Sequence, residues 1–443
     1  MLEINYKTIL GVALPLMISS FIQSIVMITD AAFLSRYSTL AFDACGNAGL
    51  IYVTIFMAIT GLSDGVQILI ARRIGQNKHE AIGRIFGTSV ITIGMISLLL
   101  FGLIQFLIPK VIPIFTRHSD IADAQISFLS VRSCALLFCM FNLPIQAFFL
   151  AIGKTWVVLI SASIVAFTNI ILGYVLIFGV DHLIPSLGIE GAALAATISE
   201  LIGTLFLCIF IFFSRERKTY KMFQHFAFQW KSFLELLKIG SPLFFQGFIA
   251  LAAWTVFFTW IEQMGKYELT VSQNIRAFYF LAFVPILGFA ATTKTYISQY
   301  IGDLQFDSLH LIQRKIQILT VTFLFLFFHG ALLYPKFMIS FINPNEIYLE
   351  ESAEILRFIA GSFLIFGIVS VKFQTVNGSG NTVASFLIEL CSISVYLLFS
   401  YLFIKVFKFQ IFWVWSVEYI YFSALGVFSI GYLKLFQWKN KKL

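Results

Sequence analysis

Charge is what this chain has least of. Asp, Glu, Lys and Arg together make up 12% of its 443 residues, against roughly 25% in soluble domains. That scarcity excludes a soluble globular chain, and the lack of any long polar stretch excludes a separate soluble domain. Cysteine is sparse too: Cys45, Cys134, Cys139, Cys208 and Cys391 show no metal-ligand or redox spacing and read as packing residues. No H-E-x-x-H pattern occurs, and the six histidines are scattered, with only His329 expected to be deeply buried. The clustered nucleophiles, metal ligands or paired acids that a membrane-embedded enzyme needs do not stand out, so the chain is read as no enzyme, with no cofactor and no metal. The start, Met1 to Asn5, lacks the basic flank and cleavage site of a signal peptide, so the first apolar run is expected to stay as a membrane helix.

What the chain has is apolar length: 59% of it is hydrophobic. Runs of about 20 apolar residues, the length that crosses a bilayer, occur at 8–34, 46–71, 85–108, 124–151, 156–179 and 188–213. Six more follow at 238–263, 271–297, 315–341, 353–376, 383–405 and 410–436. These readings predict an all-α polytopic membrane protein with twelve transmembrane helices. The net charge of +8 does not point to nucleic acid, because the basic residues sit between apolar runs. With the N-terminus inside, the inner segments collect Arg72, Arg73, Lys78, Arg84, Arg215, Arg217, Lys218, Lys221, Lys231, Arg314, Lys315, Lys439, Lys441 and Lys442. The positive-inside rule then places both termini in the cytoplasm.

The longest inner loop divides the chain into a first lobe (1–213), a basic linker (214–237) and a second lobe (238–443). The two halves match in a single register, without a gap: Pro15 falls on Pro242, Gly61 on Gly288, Ile74-Gly75 on Ile301-Gly302, Gly153 on Gly380 and Thr155 on Thr382. Matched Gly and Pro imply matched bends. Six spans per half is even, so the repeats run in the same direction, related by an axis along the membrane normal with a cavity between them.

One residue stands out in the first span. Asp30 lies in an apolar run, where a bare carboxylate costs ~3 kcal/mol or more. It is read either as a structural carboxylate bonded to a neighbouring helix or as an ion or proton switch. As a switch, it opposes proton and cargo: a cation nearby favours the charged form and a proton the neutral one. Glu200 either lines the same cavity or sits at a helix interface. Asp64, between Gly61 and Gly65, is functional or interfacial in a close-packing motif. Gln23 and Gln246, each just past a helix proline, either line the cavity with neutral polarity or bond helices together. Asn274 opens the eighth span beside Arg276, which is expected to pair with Glu262 or Glu268. Trp254 is a candidate for holding organic cations by cation–π contact. Glu389 and Glu418 are expected in ion pairs with Lys372 or another snorkelling cation.

Several stretches together resemble the multidrug and toxic compound extrusion (MATE) transporters over nearly the full chain. They are Ala13-Leu14-Pro15 with Asp30, Gly61 to Gly75, Ala151 to Thr155, Asn169 to Leu172, Gly188 to Leu194, and Asn377 to Thr382. The resemblance implies a V-shaped pair of six-helix lobes in the bacterial cytoplasmic (inner) membrane, exporting amphipathic organic cations in exchange for protons or sodium. It makes Asp30 the coupling carboxylate and Asn169 its partner, which orients Asp30 or bonds helices. Where many members have a second aspartate this chain has Gly173, and the usual threonine position falls on Ala196, beside Thr197. In the second lobe the glutamate of the sodium-coupled branch falls on Gln246, and the acidic position on helix ten on Phe366 and Gly367. Protons are therefore favoured over sodium. Pro15 and, by the repeat, Pro242 are the expected hinges. A monomer with small-molecule cargo and the lipid bilayer as its partners is expected. Competing readings are a flippase of lipid-linked cargo in the same superfamily and, remotely, a membrane-embedded enzyme.

Overall fold

The computed structural model describes residues 1–115, 119–180 and 184–440; Lys441 and Lys442 lie outside them. Among the described residues twelve helices are long and apolar enough to cross a membrane. They are α1 (Tyr6–Tyr37), α2 (Thr39–Gly75), α3 (His79–Phe106), α4 (Ser119–Ile152), α5 (Trp156–Phe178), α6 (Gly188–Phe213), α7 (Trp230–Glu262), α8 (Lys266–Gly302), α9 (Ser308–Leu333), α10 (Glu346–Gly378), α11 (Thr382–Val406) and α12 (Ile411–Leu435). Helix is the form such sequences must take, because lipid offers no partner to a backbone N–H or C=O. Several helices run longer than the apolar runs that announce them. Apolarity marks the stretch inside hydrocarbon, whereas a helix continues until something caps it. Ser38 caps α2 by accepting from the Ala41 N–H, and Asn345 caps α10 by accepting from the Ile347 N–H.

The repeat is visible in the backbone. Helices α2 and α8 begin and end at matching positions, Thr39 with Lys266 and Gly75 with Gly302. A short helix follows α3 at Ile108–Phe115 and recurs after α9 at Pro335–Ser340. Gly153 and Gly380 take positive φ values of 79° and 82° in the turns after α4 and α10, a conformation that favours glycine. Helix pairing repeats as well: α2 with α4, α3 with α4, α4 with α6 and α5 with α6 are matched by α8 with α10, α9 with α10, α10 with α12 and α11 with α12.

Two compact units result, but the boundary between them does not fall in the linker read from the sequence. One unit is Ile18–Phe244, the other Met1–Met17 with Phe245–Leu443. Each cut lies inside a helix, α1 or α7, and the two fall at matching positions of the repeat, after Met17 and after Phe244. The 214–237 stretch is also only partly a loop, since Glu216–Thr219 is helical and α7 begins at Trp230. Close packing explains the division. A Cβ on Gly61 would lie 2.6 Å from the Leu243 backbone, and one on Gly65 2.9 Å from Gly240. Small residues let the start of α7 lie directly on α2, as membrane helices with no hydrophobic drive between them require. In the other unit a Cβ on Gly288 would meet Met17 at 2.5 Å and the Ala13 carbonyl at 3.0 Å, so the start of α1 lies on α8. Met17 and Ala13 share a core with Phe289, Tyr296 and Ile312.

Candidate functional site

Helix α1 carries Asp30 into the Ile18–Phe244 unit, where α5 meets it. Asn169 Nδ2 donates to Asp30 Oδ1 at 2.8 Å. Asn169 is 2% exposed, and its own Oδ1 is buried without a hydrogen-bond partner. One turn along α5, a Cβ on Gly173 would lie 3.8 Å from Asp30 Oδ1 and 3.7 Å from the Phe33 ring. The position expected to face the site does so, and it has room for a methyl group at ordinary contact distance. Aromatic rings close one side: Phe33 packs edge-on to Tyr174 at 5.9 Å and to Phe178 at 6.0 Å.

The α4·α6 pairing supplies the rest. Glu200 on α6 is ion-paired with Arg132 on α4 through Nη2. The guanidinium carbon lies 4.2 Å from the centroid of the Tyr52 ring on α2, a cation–π contact. Arg132 is also within electrostatic reach of Asp30. Its Nη1 and the Tyr52 hydroxyl are both buried without a hydrogen-bond partner. Thr197, one residue from the expected threonine position, turns away and donates to the Val131 carbonyl at 3.4 Å.

Five helices thus bring together Asp30, Asn169 and Glu200, the three residues read from the sequence as coupling groups, through two that the sequence reading passed over, Arg132 and Tyr52. The signal for Arg132 was available, since an arginine in an apolar span is as costly as an aspartate. Chemically the group sets two carboxylates against one guanidinium, with Glu200 ion-paired to it and Asp30 within its electrostatic reach. It buries unfilled donor and acceptor positions, among them the side-chain carbonyl oxygen of Asn169.

The remaining candidates lie elsewhere. Gln23 is exposed on α1, and Gln246 half-buried on α7. Trp254 packs on Phe258 and Tyr279. Arg276, expected to pair with Glu262 or Glu268, instead stacks over Trp254 at 5.5 Å and Phe258 at 5.2 Å. Asn274 is buried and donates to Ser352 Oγ at 3.2 Å, bridging α8 and α10. Pro15 and Pro242 sit inside α1 and α7, each two residues before the cut between units.

The buried glutamates of the second half and His329 also depart from expectation. Glu418 takes hydrogen bonds from Tyr279 and, at 3.3 Å, from Tyr396, and Glu389 takes one from Tyr421 at 2.6 Å. Tyrosines on α8, α11 and α12 stand where Lys372 was expected, because Lys372 donates to Gln313 across the α9·α10 contact. His329 is half-buried, bonded to the Leu326 carbonyl and the Tyr334 hydroxyl at the end of α9, not deep in a span.

Comparison with known proteins reproduces the internal repeat. A family model described as MatE matches residues 15–175 and again 242–402; the second match opens on Pro242 as the first opens on Pro15, in the register of the paired anchors. Over 395 residues the chain is 25% identical to a probable multidrug resistance protein NorM of Thermotoga maritima, covering 87% of this chain and 83% of the relative. A protein of the same description from Agrobacterium fabrum is 24% identical over 383 residues, covering 84% of this chain and 79% of the relative. Among solved structures, the outward-facing form of a multidrug resistance MATE family transporter of the MOP superfamily superposes with a TM-score of 0.90 at 17% identity, over 99% of this chain and 97% of that one. A MOP superfamily transporter of Pyrococcus furiosus superposes with a TM-score of 0.85 at 17% identity, over 97% and 94% of the two chains. At these identities the structures establish a shared fold.

Proposed function

The chain belongs to the MatE family, and from that premise we propose that it is a secondary antiporter exporting amphipathic organic cations in exchange for protons by alternating access. The observation that carries this reading is the Asp30–Asn169 contact across α1 and α5, beside the buried Arg132–Glu200 pair. An ionised carboxylate in low dielectric is costly until something positive compensates it. A proton and a cationic cargo both compensate Asp30, and binding of either weakens the hold on the other. That opposition is the physical basis of exchange, with proton entry releasing cargo and cargo entry releasing the proton. Pro15 and Pro242, which cannot donate to the carbonyl four residues back, are where α1 and α7 bend as the two units move. In this reading the protein works as a monomer in the bacterial inner membrane with both termini in the cytoplasm, an orientation the basic inner loops support.

The test is efflux of a fluorescent organic cation from proteoliposomes under a proton gradient alone, then a sodium gradient alone. Asp30→Asn is expected to abolish proton-driven efflux while the protein still inserts and purifies. Unchanged efflux in that mutant would remove Asp30 from the mechanism. Efflux driven by sodium alone would replace the proton as the coupling ion.

A further inference from the structure

The group around Asp30 holds a positive charge of its own, and that charge has a consequence for what the site accepts. Arg132 is held by contacts from two directions: Glu200 on α6 takes one amino group, and the Tyr52 ring on α2 lies under the guanidinium plane at 4.2 Å. Its second amino group, Nη1, is buried without a hydrogen-bond partner, so Glu200 does not saturate it. We infer that Arg132 is a resident counter-ion that sets the charge of this site, so that one singly charged cation is exchanged for one proton and doubly charged cargo is disfavoured.

The argument is a count of charge in low dielectric, where each uncompensated unit is expensive. With Asp30 protonated, Arg132 and Glu200 cancel and the site is neutral. With Asp30 ionised, one negative charge remains, matched by one positive charge on the cargo. Without Arg132 the same two states would carry one and two negative charges, and would call for a second proton or a dication. Among the described residues, Tyr52 and Cys45 from α2 and Cys139 from α4 also face the cluster; as a phenol and thiols they add no charge near neutral pH. Asn169 from α5 is uncharged. The balance therefore rests on Asp30, Glu200 and Arg132.

This inference rests on Asp30 as the proton site, and the test separates the two. Ethidium and propidium share a phenanthridinium ring, but ethidium carries one positive charge and propidium two. Binding of both dyes to the purified protein and their proton-driven efflux from proteoliposomes are measured for a charge series. Arg132→Gln, which makes the site more negative, is expected to raise the propidium-to-ethidium ratio by about tenfold. Glu200→Gln, which makes it more positive, is expected to weaken ethidium binding and efflux by about tenfold. The double substitution, which restores the net charge, is expected to return the ratio toward that of the wild type. A ratio unchanged in both single variants would overturn the inference, and shifts in the same direction would reduce the pair to a structural tie. Should Arg132→Gln fail to insert, Glu200→Gln decides alone, because its expected effect has a defined sign. Loss of the Asp30 reading shows separately, as proton-driven ethidium efflux that survives Asp30→Asn.

Discussion

At the scale of single residues, the site depends on how few partners Asp30 has. Its hydrogen bond from Asn169 is charge-assisted when the carboxylate is ionised, and such bonds contribute about 1.5–3 kcal/mol. Asn169→Ala is therefore expected to slow proton-driven efflux by about tenfold while Asp30→Asn abolishes it; equal rates in Asn169→Ala and wild type would show that the contact is only structural. Asp30 was legible in the sequence because a carboxylate in an apolar span has few bland explanations, and Asn169 only through the family resemblance. Arg132 was equally conspicuous in composition, yet its role was hidden. An arginine in a span snorkels to the interface or faces inward depending on which helix lies beside it, and that is a matter of α4·α6 packing. Glu389 and Glu418 show the same limit, because partners for a buried carboxylate come from other helices and no spacing within one helix announces three tyrosines.

At the scale of helices, small residues decide which elements touch. Gly61 and Gly173 are both glycines in apolar helices, but they differ in what a methyl group would meet. At Gly61 it would strike the α7 backbone at 2.6 Å, which cannot give way without moving the helix; at Gly173 its nearest neighbours lie at ordinary contact distance, 3.7 Å and beyond. Gly61→Ala is expected to destabilise the protein by about 1–3 kcal/mol, read as a lower thermal unfolding midpoint in detergent. Gly173→Ala is expected to leave that midpoint in place. Equal midpoints in the two variants would contradict the α2·α7 contact. The sequence motif Gly61-x-x-x-Gly65 announced a close approach without saying to what. The partner, the first half of α7, belongs to the other half of the chain, beyond four intervening spans.

At the scale of the molecule, each half of the chain lends the start of its first helix to the other half's unit: Met1–Met17 pack with the second half, and the stretch up to Phe244 with the first. Neither half is complete alone. Fragments cut between α6 and α7 are expected to be protease-sensitive when expressed singly and to co-purify as a resistant complex when expressed together. Resistance of the first fragment by itself would contradict the exchange. The sequence by itself determined the twelve helices, their two-fold repetition in one register and the placing of a carboxylate where lipid forbids a bare one. Those are consequences of hydrophobicity, periodicity and residue type, which are local properties of the chain. Only the tertiary structure decided where the units divide, that Arg132 joins Glu200 near Asp30, and that tyrosines serve the buried glutamates of the second half. Those outcomes depend on which helix faces which, a choice made by side-chain shape and close backbone approach between segments far apart in the chain.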